Sequence, residues 1–159
     1  MRVGIMSDSH DNLPAIVKAV SVFNDGDVEM VIHAGDLVAP FVSKPLKMLK
    51  AKLVAVFGNN DGERLGLEKV LNGHIYRAPH TIDIAGKKVL ILHEPDGLEA
   101  LIKSDVYDVI IYGHTHQTDI RTGRTIVINP GETGGWLYGE RTVAIWDVDS
   151  GEVEVIPLK

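Results

Sequence analysis

The sequence predicts an α/β fold in which two mixed β-sheets face each other with helices on the outside. Three observations carry this. Short apolar runs recur along the chain, and up to residue 71 they alternate with helical patterns, which calls for parallel strands joined by right-handed crossovers. In the last third, short apolar runs are separated mostly by tight turns, which makes that end mostly antiparallel. The length, 159 residues, is that of one domain spanning 1–159, and 45% hydrophobic residues suffice for a core without staples.

Val3-Gly4-Ile5-Met6 reads as a buried strand, too short and too apolar for a surface helix. Asn12 is placed to cap a helix whose first turn accepts Pro14. Leu13, Ile16, Val17, Val20 and Phe23 then form one apolar helical face, which Asn24-Asp25-Gly26-Asp27 ends. Met30 to His33 is a second strand, Phe41 to Leu49 a second helix, Leu53 to Phe57 a third strand and Glu63 to Leu71 a third helix. Thr81 to Ile84 and Lys88 to Leu92 flank Ala85-Gly86-Lys87 as a hairpin. Gly97 to Lys103 is a short helix and Val109 to Tyr112 a buried strand. Thr118 to Arg121, Thr125 to Ile128, Thr142 to Trp146 and Val153 to Ile156 complete the strands, with turns at Thr122-Gly123 and Asp149-Ser150-Gly151. Gly134 to Gly139 is a loop.

Composition narrows the chemistry. With no cysteine, disulfides and thiolate metal sites are excluded, so any metal needs oxygen or imidazole ligands. A net charge of −6 disfavours generic nucleic-acid binding, which needs Lys and Arg against phosphates. No run has the length of a signal peptide or a membrane span, so the expectation is a cytoplasmic protein without membrane contact.

Five polar clusters follow apolar runs: Asp8-Ser9-His10, Gly35-Asp36, Gly58-Asn59-Asn60-Asp61, His93 and Gly113-His114-Thr115-His116. Singly, most of them suit a turn. Jointly they put seven oxygen or nitrogen donors at the carboxyl ends of separate strands, where open α/β sheets bind ligands. Asp8 with His10, and His114 with His116, are two residues apart, a spacing that in extended chain gives one shared face. Asp36 has two oxygens with which to span two cations. His33 is a core residue or a support for the site, and His74 and His80 read as loop or surface residues.

The order and spacing of these motifs resemble the calcineurin-like metallophosphoesterase family, in its compact prokaryotic phosphodiesterase branch. The resemblance implies the two-sheet sandwich fold and two divalent metal ions. Asp8, His10, Asp36 and His116 would hold one, and Asp36, Asn59, His93 and His114 the other. Mn²⁺ and Ni²⁺ are the first candidates, with Fe²⁺ and Zn²⁺ also compatible with the ligands. The implied reaction is attack of a metal-bridging hydroxide on a small phosphodiester. Asn59 and Asn60 are candidate catalytic residues donating to phosphoryl oxygens, and Asp61 a candidate that orients a ligand.

Two positions depart from the family pattern. Asn60 stands where a histidine usually supplies the acid for the leaving group; general acid help is worth roughly 10²–10⁴-fold, so diesters with good leaving groups are favoured. Glu132 follows Asn129-Pro130-Gly131 where the branch often has serine, with no mechanism attached to it. The alternatives are a weakly active or inactive scaffold of the same fold, or a phosphomonoesterase. Trp136, Leu137 and Tyr138 are expected either to cap the site or to form a contact in a homo-oligomer.

Overall fold

The computed structural model describes residues 1–159. Strand β1 (Arg2–Met6) leads through helix α1 (Leu13–Asp25) to β2 (Met30–His33), and short helical turns lead on to β3 (Lys52–Val56). Helix α3 (Arg64–Val70) precedes the two-residue β4 (Ile75–Tyr76). Then come β5 (His80–Ile84), β6 (Lys87–Ile91), α4 (Leu98–Lys103), β7 (Val109–Ile111), β8 (Thr118–Arg121), β9 (Ile126–Pro130), β10 (Thr142–Asp147) and β11 (Val153–Pro157).

Two mixed sheets result, with strand orders β11-β10-β1-β2-β3-β4 and β5-β6-β7-β9-β8. Strands β1 to β4 are parallel, as are β6, β7 and β9, while β10, β11, β5 and β8 pair antiparallel. Alternate residues of both sheets, including Val3, Ile5, Ile32, Val56, Val89, Ile91, Ile111 and Trp146, fill the space between them. The outer face of the first sheet packs on α1 through Ile16, Val20 and Phe23. That of the second packs on α4 through Leu90, Ile110 and Leu98. The expected architecture of two facing mixed sheets flanked by helices is the one observed.

Helix α1 starts as expected, with the Asn12 side chain accepting from Ala15 N at 3.2 Å. Val17, expected on its apolar face, is instead 44% exposed, because Ala15 and Ala19 complete the buried stripe. The single helix expected over Phe41 to Leu49 is broken into a 3₁₀ turn (Pro40–Val42) and the four-residue α2 (Ser43–Leu46). Pro45 has no N–H to return to Phe41, and the chain continues with tighter bonds from Met48 N to Pro45 O and Leu49 N to Leu46 O. The β5–β6 hairpin closes with Ala85 and Gly86 alone, both at positive φ, and Lys87 already belongs to β6. The last parallel strand runs on through Asn129 and Pro130, two residues beyond the expected end at Ile128.

Candidate metal centre

The carboxyl ends of β1, β2 and β3 in one sheet and of β6 and β7 in the other meet at the same edge of the sandwich. Each delivers one of the five polar clusters there. Asp8, Asp36 and His93 are buried, and His10 and His116 are half-buried. One ligand atom from each of Asp8, His10 and His116 lies within 4.8 Å of the others, and the same holds for Asp8, Asp36 and His93.

Asp36 stands between two histidines. Its Oδ2 lies 3.3 Å from His10 Nε2 and its Oδ1 lies 3.4 Å from His93 Nε2. Asp8 Oδ1 lies 3.5 Å from His116 Nε2 and 3.9 Å from His10 Nε2. Asn59 Oδ1 sits 2.8 Å from His93 Nε2 and 3.0 Å from His114 Nδ1. The seven residues of the sequence reading therefore share one site.

The two residue pairs, Asp8 with His10 and His114 with His116, do not share a face through the strand pleat. Asp8, His10, His114 and His116 lie beyond the ends of β1 and β7, in turns, so no pleat aligns them. Their φ values, 51°, 40°, 67° and 59°, are left-handed, as is that of Asp36 at 60°. Such conformations cost of order 1–3 kcal/mol each and persist where the surroundings enforce them. Here hydrogen bonds do so: Asp8 N donates to Gly35 O at 3.0 Å, His10 N to Asp36 O at 3.1 Å, and His114 N to Asp8 Oδ2 at 3.0 Å. Glycine at two of the cluster positions is a steric requirement. A Cβ on Gly58 would strike the backbone and carboxylate of Asp36, and one on Gly113 would strike Ser7 Oγ and Asp8 Oδ2.

The electrostatics suit a cation. Burial pushes the Asp8 carboxyl up, against a 2.6 Å hydrogen bond from Ser7 Oγ and the nearby histidines. Burial acts in the same sense on Asp36, but hydrogen bonds from His93 and Asn60 overcome it and hold that carboxyl well below the usual range. His93 loses basicity to burial and regains more than it loses from Asp36, so it ends raised. His10 Nε2 is buried with no hydrogen-bond partner, facing the two carboxylates. An orphaned ring nitrogen among converging carboxylate oxygens fits divalent metal ions of the kind that accept nitrogen and oxygen ligands.

Asn60 and Asp61 are used differently from each other. Asn60 donates to Asp36 through its backbone N at 2.8 Å and its Nδ2 at 2.7 Å, so its side chain clamps a carboxylate rather than facing an open phosphoryl position. Asp61 is buried, and its carboxylate accepts from Asp36 N at 3.1 Å, Val38 N at 2.6 Å and Gly58 N at 2.7 Å. It pins two cluster-bearing loops together and is a positioning residue. His33 Nε2 pairs with Ser9 Oγ at 2.9 Å beneath the site, and burial pushes this histidine down to about 3, so it is neutral. His74 is exposed, and His80 stacks on Tyr76 with ring centroids 4.0 Å apart.

Glu132 gains a role that its sequence position did not suggest. It is 1% exposed, and its Oε1 lies 3.2 Å from His116 Nδ1. The contact is electrostatic rather than an aligned hydrogen bond, since His116 Nδ1 has no hydrogen-bond partner. The same carboxylate accepts from the backbone N–H groups of Trp136 and Leu137. Trp136 Nε1 in turn donates to His10 O at 3.2 Å. A single acidic residue closing an otherwise buried strand end was the available signal. Trp136, Leu137 and Tyr138 are 64%, 65% and 57% exposed beside the site.

Comparison with known proteins agrees with this geometry. A family model for the calcineurin-like phosphoesterase superfamily domain matches residues 1–151. A phosphodiesterase of Methanocaldococcus jannaschii is 44% identical over 166 residues, covering 100% of both proteins. The phosphodiesterase YfcE of Escherichia coli is 28% identical over 150 residues, covering 82% of this chain and 78% of its own. A solved structure of an archaeal phosphodiesterase superposes with a TM-score of 0.93 at 44% identity, covering 99% of this chain and 100% of that one. The chain belongs to the calcineurin-like phosphoesterase superfamily.

Proposed function

We propose that the chain is a dinuclear metal-dependent phosphodiesterase acting on small phosphodiesters. The observation that carries this is the position of Asp36, whose two oxygens face histidines on opposite sides. Asp8, His10, Asp36 and His116 would hold one ion, and Asp36, Asn59, His93 and His114 the other. The relatives named phosphodiesterases support the diester as the substrate. Bound divalent ions supply charge for the phosphoryl oxygens and make a water acidic enough to act as nucleophile near neutral pH.

The chain's own residues do the rest. Asn60 keeps Asp36 oriented and ionised through its two hydrogen bonds. His93 donates through Nδ1–H to Ala34 O, 2.8 Å away, which turns Nε2 toward Asp36 and Asn59. Asn59 adds a neutral oxygen where a third carboxylate would add repulsion. With asparagine at position 60, no imidazole stands ready to protonate a leaving group, which favours activated diesters over alkyl monoesters.

The test is turnover of bis(para-nitrophenyl) phosphate and para-nitrophenyl phosphate by Mn²⁺- or Ni²⁺-loaded protein. The proposal expects diester hydrolysis that a chelator abolishes, with the monoester slower. A loaded protein that cleaves neither ester supports the scaffold reading, and a faster monoester supports the phosphomonoesterase.

A further inference from the structure

A cleft of about 440 Å³ opens from the metal centre at Asn59 and His93 and runs between the two sheets' loops. That is the size of a small-molecule site rather than a surface irregularity. The chain after β3 and around Pro79 contributes Arg64 and Arg77 to its lining. The segment after β6 adds Glu94 and Asp96 to the lining, and Leu92 and Tyr107 line it too.

Arg64 is held in place without a counter-charge. Its guanidinium lies 5.1 Å from the Phe57 ring centroid, and it donates to Asp61 O at 3.1 Å and Gly58 O at 3.4 Å. These partners use Nε and one terminal nitrogen and leave the other free. Arg121 and Arg124 are the arginines that pair with carboxylates; Arg64 and Arg77 pair with none, although two carboxylates line the same cleft. Two guanidiniums without a carboxylate partner, lining one cleft beside the candidate metal centre, are a receptor for an anion.

We propose that this cleft is a subsite for a second anionic group, so that the substrate is a phosphodiester whose non-leaving substituent carries a further phosphate or carboxylate. This rests on the phosphodiesterase reading and narrows it. The scissile phosphate sits at the metal centre, and the substituent passes Asn59 and His93 into the cleft. Its stem lies along Leu92 and Tyr107, and its terminal anion meets Arg64 and Arg77. Glu94 and Asp96 in the same lining oppose a longer polyanion, in keeping with a small substrate rather than a nucleic acid.

The test compares three para-nitrophenyl diesters with the Mn²⁺-loaded protein: the ethyl, phosphoethyl and carboxyethyl phosphates. The leaving group is the same throughout, so only the cleft substituent changes. The expected kcat/KM for an anionic substituent exceeds that for ethyl by about tenfold, and Arg77→Gln shrinks that ratio to about twofold or less. Preference for phosphoethyl alone assigns the subsite to phosphate; equal preference for both assigns it to anions in general. Equal rates for all three in the wild type, or a ratio untouched by both Arg77→Gln and Arg64→Gln, overturns the proposal. Calorimetric binding of ethyl phosphate against phosphoethyl phosphate reads the same preference without turnover. If no diester is cleaved but the binding preference persists, the diesterase reading falls and the anion subsite stands. If diesters are cleaved without preference, the reverse holds.

Discussion

Replacing Glu132 by glutamine isolates the contact between a buried carboxylate and a candidate metal ligand. The carboxylate faces His116 Nδ1 at 3.2 Å and accepts from Trp136 and Leu137 N–H. It favours the imidazole tautomer with the proton on Nδ1, which leaves Nε2 with its lone pair toward Asp8 Oδ1, 3.5 Å away. Glutamine keeps the shape and one oxygen but loses the charge, and its amide can present an N–H to Nδ1. His116 is then driven to carry its proton on Nε2, the nitrogen meant for the metal. Outer carboxylates of this kind are worth about 10–100-fold in metal affinity. Charge-assisted bonds to two backbone amides become neutral ones, which costs a further ~1–2 kcal/mol of stability. Mn²⁺ affinity by chelator competition measures the first effect and thermal unfolding of metal-free protein the second. Trp136, one of two tryptophans, is exposed while Trp146 is fully buried, so its fluorescence follows the loop that Glu132 anchors. Mn²⁺ affinity within about twofold of wild type would refute the positioning role.

Further outcomes follow from other contacts. Gly58→Ala drives a methyl group into Asp36, so overpacking should cost about 1–3 kcal/mol and lower metal occupancy together, as unfolding and metal analysis would read; unchanged occupancy would contradict the close approach. Asn60→His should raise phosphomonoester hydrolysis by about 10²-fold if the missing acid limits that reaction, and no gain removes this account of Asn60. Tyr112 is buried and donates to Asp119 at 2.7 Å, and together burial and this bond push its phenol from 10.0 up to about 12. A folded value above the unfolded one gives stability that is complete below about pH 10 and lost as pH rises toward 12. Tyr112→Phe should therefore flatten the alkaline fall in unfolding free energy over that window, and an identical fall in both proteins would count against it.

Much of this was legible in the sequence because the apolar runs and the polar clusters report different things. Runs such as Val109 to Tyr112 marked strands by length alone, and Asn12 marked a helix start by its capping chemistry. The donors could be grouped because each closes a strand. Their convergence was harder to derive: Asp8, His10, His114 and His116 meet through left-handed turns enforced by cross-loop hydrogen bonds, not through the pleat. The helix over Phe41 to Leu49 was overcounted because its apolar spacing is helical while Pro45 removes a required donor. The pair β4, only Ile75 and Tyr76, is too short to show any period. The strand-end position marked Glu132 but not its partner, because His116 lies across β8 and β9 in the chain's path.

In the proposed function, Asp36 joins two metal sites into one phosphodiesterase centre. Metal content of the purified, reloaded protein tests it most directly, measured for wild type and Asp36→Asn side by side. Two divalent ions per wild-type chain are expected, and one or none in the variant, whose neutral amide does not hold both. One ion per wild-type chain, or two retained by Asp36→Asn, would contradict it.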